Sequence, residues 1–336
     1  MTSDKYQRVT IGDVAEQAGV SIATVSRVLN QSDKVAQRTV NAVLSAVDDL
    51  GYQPNNAARN LASRSTQAIG IVVDQIIGEY FSPMLSGIEI ATEQAGYEFI
   101  IYSTRKRSNG HSLVGASNTD GLIVFADSMP DSEIVRLSQR NIPIILLHRS
   151  SPKEIAVPYV TVENKQGASD MMAYLINTRG YRKFAFLRGV DAHEDTIWRE
   201  KGYQEALENA GLSYDDQLIG LGGFNETISY ETVTQWMRRG LSMDVIVAYD
   251  DDSAIGAIAA LKEANIRVPE DIAVVGFDDI RLSRYLDPPL TTVRVHIELA
   301  AQSAVERLVE LIEGGETTME TLLPTELIIR RSCGCC

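Results

Sequence analysis

From Gln67 onward the chain alternates short apolar runs with amphipathic stretches, and this alternation limits its fold more than any other feature. The runs "AIGIVV", "EFIIYS", "GLIVFA" and "IPIILLH" are followed by "YVTVE", "KFAFLRG", "VIVAYD" and "IAVVGF". Each has the length of a buried strand and falls far short of a membrane span. Helical periodicity marks residues 82–95, 164–179, 200–210, 229–239 and 253–264 between them. Such alternation is the signature of α/β domains built on parallel sheets. Two sets of about four strands predict a two-lobed body. Residues 67–161 with about 291–321 form its first lobe, and 162–290 with about 322–332 its second, with "ELIIRR" completing one of them.

Residues 1–53 follow a different pattern and predict a separate helical head. Thr10 and Asp13 have capping-box spacing, and Ile11, Val14, Ala15 and Ala18 then share one apolar face. Gly19 supplies a break, and Ser21 caps a second helix whose Val25, Val28 and Leu29 face inward. "KVAQRTVNAVLSAVDDLGY" reads as a third helix closed by Gly51. Residues 54–66 form a connector in which "AARNLAS" is long enough for about two helical turns, too short to be stable alone.

Charge divides the chain in the same place. The whole carries −14, but residues 1–65 hold seven basic and six acidic side chains, a net +1, leaving −15 on the rest. A near-neutral head on an acidic body suits a head that meets DNA and a body that avoids it. The only cysteines are Cys333, Cys335 and Cys336, so a disulfide framework is excluded, and the tail 333–336 is expected to be exposed and incidental. The four histidines, His111, His148, His193 and His296, are never at ligand spacing, so neither a metal nor another cofactor is expected. The stretch "MTSDKYQRVT" lacks the apolar segment of a signal peptide, which points to a cytoplasmic protein, on the nucleoid when bound to DNA, with no membrane partner.

In this order, "TIGDVAEQAGVSIATVSRVLN", "GYQPNNAARNLAS", "VENKQGA", "RGYRKFAFL", "REKGYQEAL", "VPEDIAVVGFDD", "PPLTTV" and "LPTELIIRRSCG" resemble the lactose-repressor/galactose-repressor (LacI/GalR) family of bacterial transcription regulators. The resemblance covers nearly the whole chain. It implies a helix-turn-helix head, a hinge helix and a periplasmic-binding-protein-like body. It also implies a homodimer that represses sugar or other carbon-source genes from a palindromic operator, with a small-molecule effector between the lobes.

In a helix-turn-helix the N-terminal residues of the second helix lie nearest the base edges. Arg27 is the only long donor on that helix, and arginine can bond guanine bidentately, whereas Ile22 and Ala23 offer only apolar contact. By resemblance Ile22, Ala23 and Arg27 match base readers. Thr10, Ser21, Thr24, Ser26, Asn30, Tyr52 and Asn55 match phosphate-contacting or supporting positions, and Leu61 with Ala58 matches the minor-groove wedge of the hinge. The bland alternative makes Ile22 a core residue and Arg27 a solvated charge.

Ligands of two-lobed α/β bodies bind at the C-terminal ends of the strands. Here those ends carry Asp74, His148, Tyr249 and Asp278. By resemblance Arg199 and Asp278 match effector contacts, an arginine–carboxylate pair able to clamp vicinal hydroxyls, and Tyr80, Phe81 and Phe224 match aromatic covers. His148 and Tyr249 stand where relatives often carry Asp or Asn, which leaves the effector's identity open. An interlobe salt bridge is the structural alternative for Arg199 and Asp278. The basic, Gly/Ser-rich segment 105–119 departs from the longer helix of relatives, so a stunted or disordered helix is expected there. An exported sugar-binding protein would not need the head. "GLGG" at 220–223 lacks nucleotide-loop spacing, and no activated nucleophile accompanies the carboxylates, so an enzyme is not expected.

Overall fold

The computed structural model describes residues 9–29, 35–52, 65–74, 76–104, 118–191 and 193–334. It divides into two compact units, Met1–Thr66 and Gln67–Cys336.

The first unit holds three helices, α1 (Ile11–Gln17), α2 (Ile22–Leu29) and α3 (Gln37–Leu50). The expected capping box closes the start of α1. Asp13 N donates to Thr10 Oγ1 at 3.4 Å, and Thr10 N donates to the Asp13 carboxylate at 2.7 Å. Hydrogen bonds from the Thr10 backbone and then its side chain hold the Asp13 carboxyl below the usual carboxylate range. Gly19, at φ 65°, makes the turn between α1 and α2, a conformation that costs residues with a Cβ. Thr24 N donates to Ser21 Oγ at 3.2 Å, capping α2 as expected. The third helix starts at Gln37, later than its periodicity suggested and without a side-chain cap from Ala36, and it ends at left-handed Gly51. Val14, Ala15, Val25, Val28, Val43, Ala46 and Tyr52 form the core of this unit.

The second unit contains two parallel sheets. In the first the order is β11 (Glu320–Leu323), β5 (Tyr159–Val162), β4 (Ile144–Leu147), β3 (Gly121–Phe125), β1 (Ala68–Val73), β2 (Glu98–Ser103). In the second it is β7 (Ile219–Leu221), β6 (Phe184–Arg188), β8 (Val245–Ala248), β9 (Ala273–Val275). All six residues of β1 are buried, as befits a strand with a neighbour on each side and helices over its faces. The helices are α4 (Phe81–Ala95), α5 (Asp131–Ser138), α6 (Asn164–Asn177), α7 (Glu194–Asn209), α8 (Glu226–Arg238), α9 (Asp251–Glu263) and α10 (Ile297–Ile312).

Three details differ from the sequence reading. The sheets hold six and four strands instead of about four each: "YVTV", which falls at the end of the expected first lobe, is β5 and pairs Leu146 with Tyr159 and Leu147 with Val160, while β11 and the short β7 were not anticipated. "ELIIRR" completes neither parallel sheet: its strand β12 (Glu326–Ile328) pairs antiparallel with β10 (Thr292–Arg294) in a separate two-stranded sheet, and the β10 segment bridges the second lobe through Val275–Thr291 and Asp278–Arg294. The chain therefore crosses back to the first lobe after β10, past the boundary drawn near 291, and returns after Leu323. Finally, Cys333 is fully buried, not an exposed tail. Ser332 Oγ donates to Val274 O at 2.6 Å and Thr291 Oγ1 contacts Cys333 Sγ at 3.1 Å, anchoring the turn against β9 and β10. Cys335 and Cys336, and residues 105–117 of the expected stunted helix, lie outside the described residues.

Helices α6 and α7 meet closely at Gly202, where a Cβ would lie 2.5 Å from the Lys165 carbonyl oxygen and 2.9 Å from the Ala168 Cβ. Alanine favours a helix over glycine by about 1 kcal/mol, whereas overpacking costs about 1–3 kcal/mol. Because the obstacle is backbone, the steric term wins, and Gly202→Ala is expected to lower stability by roughly 1–2 kcal/mol. Urea unfolding reads this directly. An unchanged or raised midpoint would mean that α6 and α7 separate freely.

Candidate functional sites: a DNA-reading helix and an interlobe cleft

In the head, the buried residues of α2 are Val25 and Val28, so the opposite face is the one left to solvent. Ile22 is 54% exposed, and Ala23 and Arg27 are exposed as well. Ile22 is therefore not a core residue: an apolar side chain stands beside the helix N-terminus with Arg27 one turn on. Ser21 Oγ and Thr24 Oγ1 are 2.9 Å apart, and Ser26 is half-buried. Thr10 is exposed, its hydroxyl donating to the Asp13 carboxylate at 2.8 Å. Tyr52 belongs to the head's core, which fits support better than reading. Asn30, Asn55, Ala58 and Leu61 lie outside the described residues.

The body's cleft is built around Arg199, which α7 carries into the interior with only 5% of its surface exposed. Its Nε donates to Asn164 Oδ1 at 2.7 Å, Nη1 to the Tyr249 carbonyl at 2.7 Å, and Nη2 to Asp278 Oδ1 at 3.1 Å. The guanidinium carbon also lies 3.8 Å from the Phe277 ring centroid and 4.4 Å from that of Tyr249. A buried guanidinium survives only with its donors satisfied and a counter-charge at hand, and the ends of β8 and β9 with the start of α6 supply both. Burial works against the charge on Arg199, but Tyr249 and the carboxylates of Asp278, Asp195 and Asp250 outweigh it and raise the pKa. Burial also pushes Asp278 well up, opposed by Arg199 and reinforced by Asp250, Asp251 and Asp195, because several carboxylates share one buried cation.

From Arg199 a polar row runs across to the first lobe. Asn164 Nδ2 donates to Asp195 Oδ1 at 2.7 Å, Asp195 Oδ2 lies 3.4 Å from His148 Nδ1, and His148 Nε2 is 2.5 Å from Tyr80 Oη. Burial would raise Asp195, but its contact and charge interaction with His148, then Arg199, bring it below the usual range. Around the row, Tyr80, Phe81, Phe125 and His148 form one aromatic cluster, with ring centroids 5.5–6.3 Å apart. Phe224 stands 4.8 Å from Tyr249 and 4.9 Å from His193.

Thus His148, Tyr249 and Asp278 come together from their strand ends, and Tyr80, Phe81, Arg199 and Phe224, singled out by resemblance, join them. Asp74 stands exposed at the end of β1, accepting Ser103 Oγ on its carbonyl at 3.0 Å, and is not among the described side chains that meet in this row. Asn164, His193, Asp195, Phe125 and Phe277 belong to the site without having been singled out. Asp195 had one available signal, its place one turn before Arg199 on the same helix. A large cavity of about 1040 Å³ opens elsewhere, beside Asp244 and Asp271 at the N-terminal ends of β8 and β9, the wrong end of a parallel sheet for a ligand. Among the described residues no cluster of metal-ligating side chains occurs, and no helix is long and apolar enough to cross a membrane.

At the cleft's edge Asp252 is pushed up to about 7, by burial first and then by Asp250, Glu226 and Glu79. A carboxyl raised on folding stabilises the fold fully below its unfolded pKa of about 4, and this contribution is lost as pH rises through about 7. Asp252→Asn is therefore expected to lose less thermal stability than the wild type between about pH 5 and pH 8. Parallel Tm profiles for the two proteins would contradict this assignment.

Residues 10–55 match the family described as bacterial regulatory proteins, lacI family, and residues 173–333 match a periplasmic binding protein-like domain. The chain is 33% identical to the HTH-type transcriptional regulator AscG of Escherichia coli K12, over 96% of this chain and 98% of that protein. It is 32% identical to the HTH-type transcriptional regulator CelR of Thermobifida fusca, over 98% and 99%. Among solved structures, the lac repressor dimer bound to operator and the anti-inducer ONPF superimposes with a TM-score of 0.82 at 26% identity, covering 97% of this chain and 99% of that one. The chain belongs to the lacI family of bacterial regulatory proteins, and it is a DNA-binding transcription regulator, not an enzyme.

Proposed function

We propose that this protein is a cytoplasmic, sugar-responsive repressor that binds a palindromic operator as a homodimer and takes its effector in the cleft between the lobes. The observation that carries the reading is Arg199, buried at the strand ends of the second lobe, bonded to Asp278 and flanked by the rings of Tyr249 and Phe277. Carboxylate acceptors, guanidinium donors and aromatic faces are the groups that recognise a polyhydroxylated ring. A solved relative, a CelR–cellobiose complex, aligns over 97% of this chain with a TM-score of 0.71 at 29% identity. That relative's sugar supports the same ligand class here. Asp74, from the other lobe, completes the proposed effector set.

On the DNA side, Ile22, Ala23 and Arg27 read bases, and Thr10, Ser21, Thr24, Ser26, Asn30, Tyr52 and Asn55 contact or support phosphate contacts. Ala58 and Leu61 of the 54–66 connector enter the minor groove at the dyad. One reader arginine per head cannot hold a half-site by charge alone, so the dimer and the bend produced by the hinge supply the remaining affinity. An effector acts by favouring one arrangement of the lobes, which biases a hinge helix too short to be stable alone.

Two outcomes are expected. Arg27→Ala should lower the preference for operator over random DNA by about 1–3 kcal/mol per half-site, read by fluorescence anisotropy with both DNAs. Undiminished discrimination would remove Arg27 from the reading set. In contrast, Arg199→Ala and Asp278→Ala should retain operator binding and lose the response to sugar. Calorimetry over a panel of neutral mono- and disaccharides that includes cellobiose tests this, and wild-type affinity in both variants would reduce the pair to a structural bridge.

A further inference from the structure

Asp278 and Asp279 are neighbours in sequence, yet their side chains serve different partners. Asp278 meets Arg199 in the cleft, whereas Asp279 faces Arg294 and Arg330, with Oδ2 accepting from Arg294 Nε at 2.8 Å and Oδ1 from Arg330 Nη2 at 2.5 Å. The Asp279 side chain is only 1% exposed, so this is a buried carboxylate between two guanidinium groups. Both residues have positive φ, 108° for Asp278 and 55° for Asp279, a backbone state that side-chain-bearing residues seldom adopt and that needs external restraint.

We propose that Asp279 is a positioning residue for the effector site, its clamp by Arg294 and Arg330 holding the left-handed turn that aims Asp278 at Arg199. The inference rests on the proposed reading of Arg199 and Asp278 as effector contacts. The clamp is itself anchored. Arg330 Nη1 donates to the Leu290 carbonyl at 2.7 Å, and Arg294 Nη1 reaches Glu326 at 3.0 Å. Arg294 ends β10 and Arg330 follows β12, so both sit on segments where the chain passes between the lobes. Without the clamp the two positive-φ residues relax toward negative φ, and that rotation carries the Asp278 carboxylate away from Arg199. The same clamp also ties the aim of Asp278 to the crossover strands, so lobe movement is felt at the effector contact.

The test uses the full-length protein with cellobiose as probe, or, if cellobiose gives no thermal shift, the panel sugar giving the wild type its largest shift. Asp279→Asn keeps the side chain's shape and removes its charge. Arg330→Met removes one arm of the clamp, and Arg330→Lys restores a cation there. Calorimetric affinity is measured on protein shown by its unfolding curve to be fully folded. Asp279→Asn and Arg330→Met are expected to weaken sugar binding by about ten- to a hundredfold, as loss of a partner that orients a contacting group does, with Arg330→Lys recovering most of the loss. Wild-type affinity in folded Asp279→Asn or Arg330→Met, with only Tm lowered, would overturn the proposal and make the clamp a fold element. Should Asp279→Asn fail to fold, the two Arg330 variants decide, since they leave the Arg294 contact in place. Arg199→Ala separates the two readings. If Arg199→Ala binds sugar as tightly as wild type, the effector-site reading fails; if it loses sugar while Asp279→Asn keeps it, only the clamp fails.

Discussion

A charged guanidinium buried at the centre of the body is the interaction around which the cleft is organised. Arg199 cannot remain there without acceptors, and it finds them on Asn164 at the start of α6, on the carbonyl of Tyr249 after β8 and on Asp278 after β9. Each acceptor lies at one end of a different element, so satisfying one side chain fixes three element ends relative to α7. Removing Asp278 would leave a buried charge unpaired, a loss of about 3–5 kcal/mol in comparable buried pairs, and losing the neutral acceptor on Asn164 would cost about 1–3 kcal/mol. The close approach of α6 and α7 at Gly202 belongs to the same requirement, because it brings Asn164 within reach of Arg199.

The reading head solves a different problem with little material. Its core has few residues, so local signals do much of the organising: the Thr10–Asp13 box, the left-handed turn at Gly19, the Ser21 cap and Gly51. With Val25 and Val28 turned inward, Ile22 and Arg27 are left on the outer side of α2. An exposed isoleucine costs solubility in isolation, and its exposure at a helix N-terminus fits the proposed base-reading role.

These features differ in how far the sequence announced them. The head was legible because caps, glycine turns and helical periodicity are local, and each acts within a few residues. The strand ends in the body were legible for the same reason, and His148, Tyr249 and Asp278 converge from them, whereas Tyr80, at the start of α4, and Arg199, on α7, were singled out only by resemblance. What was not legible depends on pairing between distant segments. Nothing within "ETLL" says that it will pair beside "YVTV" as β11, and nothing in a C-terminal "SCG" says that Ser332 will bond Val274 and bury Cys333. Asn164 and Asp195 were missed likewise, since a short polar side chain near a helix start reads as a cap until its partner 31 residues away is known.

The polar row from Tyr80 through His148, Asp195 and Asn164 to Arg199 is hydrogen-bonded at every step but one: His148 Nδ1 lies 3.4 Å from Asp195 Oδ2 and makes no hydrogen bond among the described residues. A ligand that enters the cleft therefore competes with contacts already made, and it stabilises the closed lobes only by the difference between its own bonds and those it replaces. On the proposed effector reading, apolar burial against Tyr80, Phe81 and Phe224 does not face that competition and would favour entry, while the polar row would select among candidates. Discrimination then falls on hydroxyl geometry. A sugar that matches donor and acceptor positions along the row restores every bond it breaks, and an epimer leaves at least one buried group without a partner, a loss of about 1–3 kcal/mol. Because the row joins Tyr80 and His148 of the first lobe to Arg199 of the second, the same matching that selects the ligand also decides how firmly the lobes are held together.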